Sequence, residues 1–438
     1  MKAKINKNIL NGVLGFVVPT LAMLFVTPVL INGLGQDAFG IFVLATSLGG
    51  SFSFLDLGFS SATTKYIAEA VSNQKFGEVG SIIKTSLVLY FFLAAVISSV
   101  IWFFAPYLPE IFSLAKSSIS DAVLTFRLAA IQFCFLLLLS VYISVFKAFH
   151  RFDLATYLTS YAAVVGNAGA GLAVWLSNVG LVEVSVIGLF SSISALGLAH
   201  FILISICQQR DIDIKRTSAS MVIFRKMIGF SAILTVHSLA SIFFTQAQRL
   251  IIGVLLGPVA VTVYQVAYTA VSKCHSLINS AAEILFPIVS ELQNRTLLLS
   301  LYKKALLISA VFSVCILSPL MLFANKIITL WVGKSIALSA TPLLQILGVA
   351  FFFVAISAPS YHIMNGIGKP IVNVIYSTCN VLLYIFTLWI FSIRGELILI
   401  DFALSFMVSN VITGIIYQLF VMRLLGKYKR SNNIGLTH

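Results

Sequence analysis

The sequence predicts an all-α integral membrane protein of twelve transmembrane helices, built as two six-helix lobes related by a pseudo-two-fold axis along the membrane normal. Three observations predict it. The 438-residue chain is 59% hydrophobic and 10% charged, with a mean hydropathy of +1.04, whereas a soluble domain is about a quarter charged. Twelve stretches approach or exceed the ~20 apolar residues that a spanning helix needs. One stretch also recurs at about half the chain length. Leu34-Gly35-Gln36-Asp37-Ala38, leading to Phe42 and Ala45, pairs with Leu256-Gly257-Pro258-Val259-Ala260, leading to Tyr264 and Ala267, at an offset of 257 − 35 = 222. Duplicated halves in a very apolar chain mark transporters that rock one half against the other.

The first span, 9–33, carries Pro19 and Pro28. Each removes a backbone donor and crowds the preceding turn, so a bend is expected there; a hinge and a static kink are equally good readings. The second, 39–59, holds the first copy of the repeat and places Thr46, Gly49, Gly50, Ser53 and Asp56 on one helical face. Spans at 82–104, 122–146, 154–177 and 180–206 complete an N-terminal lobe, 1–206, and the break at 207–227 reads as a cytoplasmic linker. The C-terminal lobe, 228–425, contains 228–256, 259–280, 305–324, 338–362, 371–393 and 397–422, with a cytoplasmic tail at 426–438. Only short connectors remain, which leaves no room for a soluble catalytic domain.

Charge sets the orientation. With the N-terminus inside, 21 of the 28 Lys and Arg residues fall on the inner side. Only Lys116, Lys326, Lys334 and Arg394 fall outside, and Arg127, Arg249 and Lys273 lie within spans. The positive-inside rule then makes both termini cytoplasmic and gives the two lobes the same orientation. The net charge of +14 is thus an inner-leaflet bias facing anionic lipid, which argues against nucleic acid as a partner. Five scattered cysteines indicate neither a disulfide framework nor a metal site, and no cofactor motif appears. The Lys-rich N-terminus begins like a signal peptide, but its apolar run is too long, and an uncleaved first helix is expected.

Candidate site residues follow from polarity inside spans. Gln265, Tyr268, Ser272, Ser276 and Asn279 recur at helical spacing in the eighth span, with Lys273 flanking them. Such a stripe predicts a wet cavity wall; small polar residues alone would suggest helix packing. Intramembrane charges must face partners or water. Arg249 lies about 10 Å from the outer end of its span at the helical rise, with Gln246 and Gln248 close by. Arg127 is at similar depth in the fourth span, and Lys273 is deeper. Together they predict a basic cavity wall. The competing readings are snorkelling for Arg249 and Lys273, pairing of Arg249 with Asp401 or Asp56, pairing of Arg127 with Asp121, and a capping role for Asp56. His200, His237 and His362 are isolated and read as packed neutral side chains.

The run Phe54-Leu55-Asp56-Leu57-Gly58-Phe59-Ser60-Ser61-Ala62-Thr63-Thr64-Lys65-Tyr66-Ile67-Ala68-Glu69, preceded by Gly35 and Phe39-Gly40, resembles the second-helix region of Wzx-type polysaccharide flippases. These O-antigen translocases belong to the multidrug/oligosaccharidyl-lipid/polysaccharide exporter superfamily, whose fold is MATE-like. Gln248-Arg249-Leu250-Ile251-Ile252-Gly253, Leu256-Gly257, Tyr264, Ala267 and Phe286-Pro287 resemble the family's second copy. The family often has an aspartate before the arginine; Gln248 stands there, which leaves Arg249 less neutralised or the position simply variable. The resemblance implies translocation of an undecaprenyl-diphosphate-linked oligosaccharide from the inner to the outer leaflet of a bacterial inner membrane. It implies membrane lipids, and the polymerase and chain-length proteins of the same pathway, as partners. The physical reading agrees, because Arg and Lys suit a diphosphate and Gln, Asn and Tyr suit sugar hydroxyls.

Two rivals stay open. An ion-coupled multidrug exporter of the same fold would place carboxylates in its cavity, for which Asp56 and Asp401 are candidates. A membrane-embedded polysaccharide polymerase would need a larger outer loop than 105–121, and no nucleophile–base constellation is present; no enzyme is expected.

Overall fold

The structure, a computed structural model, describes residues 2–434 apart from 211, 213, 215–216, 229–238, 240–241 and 292–296. Side chains are described outside these gaps and outside 2–17, 54–57, 287, 291 and 427–434. Every regular element among the described residues is helical. The solvent explains this: hydrocarbon offers backbone groups no partners, so segments this apolar must satisfy them internally.

The chain divides into two compact units, 1–261 and 262–438. The sequence reading put its boundary in 207–227, and part of the path between the two positions lies outside the described residues. The first unit comprises α1 (Lys2–Leu34), α2 (Gln36–Gly50), α3 (Phe54–Ser72), α4 (Phe76–Phe104), the short α5 (Leu108–Ile111), α6 (Ile119–Ala148), α7 (Phe152–Ser177) and α8 (Leu181–Gln209). It also holds a π-helical turn, Phe243–Ala247, and the start of α9 (Gln248–Ala282). The second unit takes the rest of α9, then α10 (Leu285–Glu291), α11 (Leu298–Leu322), α12 (Ala324–Val332), α13 (Lys334–Gly366), α14 (Ile371–Ile393) and α15 (Leu399–Ile434).

Eight helices among the described residues are long and apolar enough to cross a membrane, or nine if α2 and α3 form one broken span. The remainder of the predicted twelve has specific causes. Side chains before residue 18 are outside the described ones, which leaves Val18–Leu34 as a shorter apolar helix. Much of 228–256 is undescribed, and its end runs into 259–280 as one stretch, Phe243–Ala282. α7 is a full helix but is not among the eight, being rich in Ser, Thr, Gly and Asn.

One predicted element is corrected. The span 39–59 breaks: α2 ends at Gly50, a 3-10 turn occupies Ser51–Ser53, and α3 runs from Phe54 to Ser72. Adjacent Gly49 and Gly50 supply the reason, since only proline is a poorer helix former. Asp56, expected near a helix end that closes a span, therefore sits in the first turn of α3, and its side chain is outside the described ones.

The repeat has a backbone counterpart. Gly35 adopts φ 86°, ψ 164° before α2, and Gly257 adopts φ 78°, ψ 177° within α9. Both values fall in a region essentially reserved for glycine. α1 continues through Pro19 and Pro28 as one helix and packs on α7, where Gly33 meets Val174 and Gly171 meets Val26.

The first unit's core gathers Ile67, Ile83, Phe146, Leu158, Ala195 and Ile212, with Ile223 packed against it. The stretch 217–220 is pinned to α4: Lys84 Nζ donates to the Thr217 carbonyl (2.7 Å), and the Ser220 N–H donates to Thr85 Oγ1 (2.9 Å). The second unit's core gathers Leu298, Tyr302, Ile363, Met364, Tyr417 and Val421. Many large apolar side chains point outward, among them Phe91, Phe103, Phe201 and Leu330. In water such patches would drive association; in lipid they are the solvated surface.

Candidate functional site

In the first unit, four of the five residues predicted to share the α2 face do line one cavity. Thr46, Gly49, Gly50 and Ser53 form one wall, and Ala129, Gln132, Phe133, Leu136 and Leu137 of α6 form the other, around a volume of ≈ 270 Å³. The side chain of Asp56, the fifth, lies outside the described ones. Gly50 is needed there for contact: a Cβ at this position would come within 2.8 Å of the Gln246 amide, which packs against it. Gln246 lies in the π-turn Phe243–Ala247, a geometry that leaves backbone groups offset from the regular ladder and recurs at functional sites.

Gln248 and Arg249 follow directly. Gln248 is fully buried, and neither its Oε1 nor its Nε2 has a hydrogen-bond partner among the described residues. Arg249 is half-buried. Arg127, on α6, lays its guanidinium over the Trp102 ring at 5.0 Å, and no ion pair joins it to Asp121 among the described residues. Asp121 instead accepts from Ser120 Oγ. A ring face offers a cation partial compensation without a carboxylate.

In the second unit, the predicted stripe on α9 is largely occupied by packing. Gln265 is 6% exposed and donates through Nε2 to Thr269 Oγ1 (2.9 Å). Tyr268 is buried among Tyr264, Phe351 and Phe406, with ring centroids 5.4 Å from Phe351. Ser272 and Ser276 return their hydroxyls to backbone carbonyls of their own helix, the usual resolution for serine in a helix without water. Asn279 Oδ1 meets His362 Nε2 at 3.3 Å, and Lys273 is half-buried. Asp401 caps its own helix by accepting from the Ile398 N–H (2.8 Å). His200 bonds Tyr142; His237 lies outside the described residues.

Two features escaped the sequence reading. Gln132 is one; its only signal was an amide inside the fourth apolar run. The other is a buried polar network in the second unit. Asn373 Nδ2 donates to Asn365 Oδ1 (2.8 Å) and to the Tyr361 carbonyl (3.1 Å), Tyr417 donates to Asn373 Oδ1, Asn380 donates to Asn410 Oδ1 (2.8 Å), and Tyr302 bonds Ser360 (2.9 Å). Tyr376 and Tyr417 stack at 4.3 Å. Its members sit on four different helices, so helical periodicity within any one of them carried no trace of it. Among the described residues no group of three or more His, Cys, Asp and Glu comes together as a metal site would require.

The profile of a family described as "Polysaccharide biosynthesis protein" matches residues 5–293. A Shigella flexneri protein named "Putative O-antigen transporter" is 20% identical over 426 residues, 97% of this chain and 99% of its own length. Among solved structures, the inward-facing conformation of a multidrug resistance MATE family transporter of the MOP superfamily matches with a TM-score of 0.81 at 14% identity, covering 95% of this chain and 99% of that one. An outward-facing conformation from the same superfamily gives 0.62 at 16% identity, covering 95% and 96%. A MATE structure in a straight conformation gives 0.61 at 17% identity, covering 97% and 96%. At these identities the structural likeness establishes the fold alone.

Proposed function

Because the chain belongs to the polysaccharide biosynthesis protein family, we propose that this multi-pass membrane protein is a flippase for an undecaprenyl-diphosphate-linked oligosaccharide. The full-length match to the Shigella protein named as an O-antigen transporter carries the reading. A diphosphate and its sugars cannot cross hydrocarbon bare, whereas the polyprenyl tail can stay in lipid. A basic, polar cavity that opens to each leaflet in turn meets that need.

In this reading twelve spans form two six-helix lobes, 1–206 and 228–425, joined by 207–227, with both termini cytoplasmic in an inner membrane. Arg249 is the principal phosphate contact, since a guanidinium presents paired donors to phosphate oxygens; Arg127 and Lys273 add charge, and Gln246 and Gln248 add amide donors. Asp56, Gln265, Tyr268 and Ser272 complete the proposed set, with Pro19 and Pro28 as the hinge. An inside-negative potential favours outward movement of an anion by about 2.3 kcal/mol per charge per 100 mV. The polymerase and chain-length proteins of the pathway are the proposed partners.

The test is complementation of a strain lacking its own O-unit flippase and supplied with a matching sugar pathway. Surface polymer restored by wild type and reduced at least tenfold by Arg249→Ala is the expected result. The MATE fold also suits an ion-coupled drug exporter. Lipid-linked units left on the inner leaflet, with lowered accumulation of cationic dyes, would establish that reading instead.

A further inference from the structure

We infer that the α2–α6 cavity holds one sugar residue of the lipid-linked glycan, with Gln132 as its specificity-determining side chain and Gln246 beside it; the inference rests on the flippase reading above. Four observations carry it. The cavity, ≈ 270 Å³, has room for roughly nine waters at their liquid volume of about 30 Å³ each, which is the scale of a single pyranose ring. Among the described residues no charged side chain lines it, and no cation is among them to hold a diphosphate, so the lining suits neutral sugar hydroxyls.

The lining is also mixed in the way a sugar demands. Phe133, Leu136 and Leu137 present an apolar wall to the C–H face of a ring, while Ser53 and Gln132 present a hydroxyl and an amide; Thr46 Oγ1 donates to the Phe42 and Val43 carbonyls of its own helix and keeps lone pairs to accept from a ligand. Neither the Gln132 nor the Gln246 amide has a hydrogen-bond partner among the described residues, and both are half-buried. Carboxamides placed beside a cavity with donors and acceptors unspent are held by water until a ligand replaces it.

Position is the fourth observation. Gln132 lies midway along α6, and Thr46 lies well inside α2, which puts the cavity near mid-bilayer depth, where transporters of this architecture bind substrate. Gln246 precedes Arg249 by three residues, about 5 Å along the helix axis. An anion at Arg249 therefore brings the attached sugar within reach of Gln246. Gly50 keeps the amide seated, since any side chain there displaces Gln246.

Binding to the purified full-length protein tests this, with two probes: undecaprenyl diphosphate and undecaprenyl-diphosphate-N-acetylglucosamine. Wild type is expected to bind the glycosylated lipid at least tenfold more tightly. Gln132→Leu and Thr46→Val should each bring that ratio below threefold while leaving the affinity for the bare lipid unchanged, which also shows that the variants are folded. Gln132→Asn should restore part of the ratio. Equal binding of the two probes by wild type, or a ratio that survives both variants, overturns the inference and leaves the flippase reading standing. Tighter binding of the bare lipid by Gln132→Leu would mean that the cavity takes acyl chain, and also overturns it. Failure of wild type to bind either probe removes the flippase reading itself, and the inference with it.

Discussion

Replacing Gly35 or Gly257 with alanine tests the repeat at the level of the backbone. Gly35 sits at φ 86°, ψ 164° and Gly257 at φ 78°, ψ 177°, and holding a non-glycine residue there costs on the order of 1–3 kcal/mol. Beyond the adjoining backbone, no atom lies within 4 Å of where a Cβ would stand at either position, so no clash with a packed neighbour adds to the figure. The cost is purely conformational and should be the same at both sites. Gly77, in the first turn of α4, is the control: a Cβ there also meets nothing, and its φ is not positive. Gly77→Ala should gain about 0.4–1 kcal/mol by restricting the unfolded chain. Thermal unfolding followed by tryptophan fluorescence in detergent micelles reads all three. At roughly 2–4 °C per kcal/mol for a unit of 150–250 residues, Gly35→Ala and Gly257→Ala should each melt some 2–12 °C below wild type. Wild-type melting of both variants, or a loss at only one of them, would refute the equivalence of the two turns.

The polar network of the second unit should show the cost of a single lost donor. Tyr417→Phe leaves the buried Asn373 Oδ1 without its hydroxyl donor, and a loss of about 1–3 kcal/mol is expected in denaturant titration; a change under ~0.5 kcal/mol would mean that water replaces the hydroxyl. Between α6 and α7, Arg151 donates to Asp153 at 3.0 Å and holds its carboxyl below the usual range, mainly by that hydrogen bond. A depressed carboxyl stabilises the fold above its unfolded value of about 3.9, and the contribution disappears as pH falls through the lower folded value. Both side chains are over a third exposed, so solvent limits the pair to at most about 1 kcal/mol. Asp153→Asn should therefore cost a few tenths of a kcal/mol at pH 7 and nothing near pH 2; a deficit that persists at low pH would point to lost packing.

Several elements were legible because their cause is local. Composition alone called for helices in lipid, and the 222-residue offset led to Gly35 and Gly257, whose backbones match. The α2 face of Thr46, Gly49, Gly50 and Ser53 follows from the 3.6-residue period and does line a cavity. The same period placed Gln265, Tyr268, Ser272 and Ser276 on one face of α9, yet Tyr268 packs in an aromatic cluster and the serines bond their own backbone. Periodicity says which side chains share a face. It does not say what that face meets.

The sequence by itself determined the solvent, the helical class, the family resemblance and the intramembrane charges, because each is a property of single residues or of spacing along one helix. The tertiary structure alone decided that α2 breaks after Gly50, that Gln246 and Gln248 follow or lie within a π-turn, that Arg127 stacks on Trp102, and that Gln132 faces Thr46 across a cavity. These outcomes depend on which helices pack side by side, and that choice is made by the shapes of facing surfaces far apart in the chain.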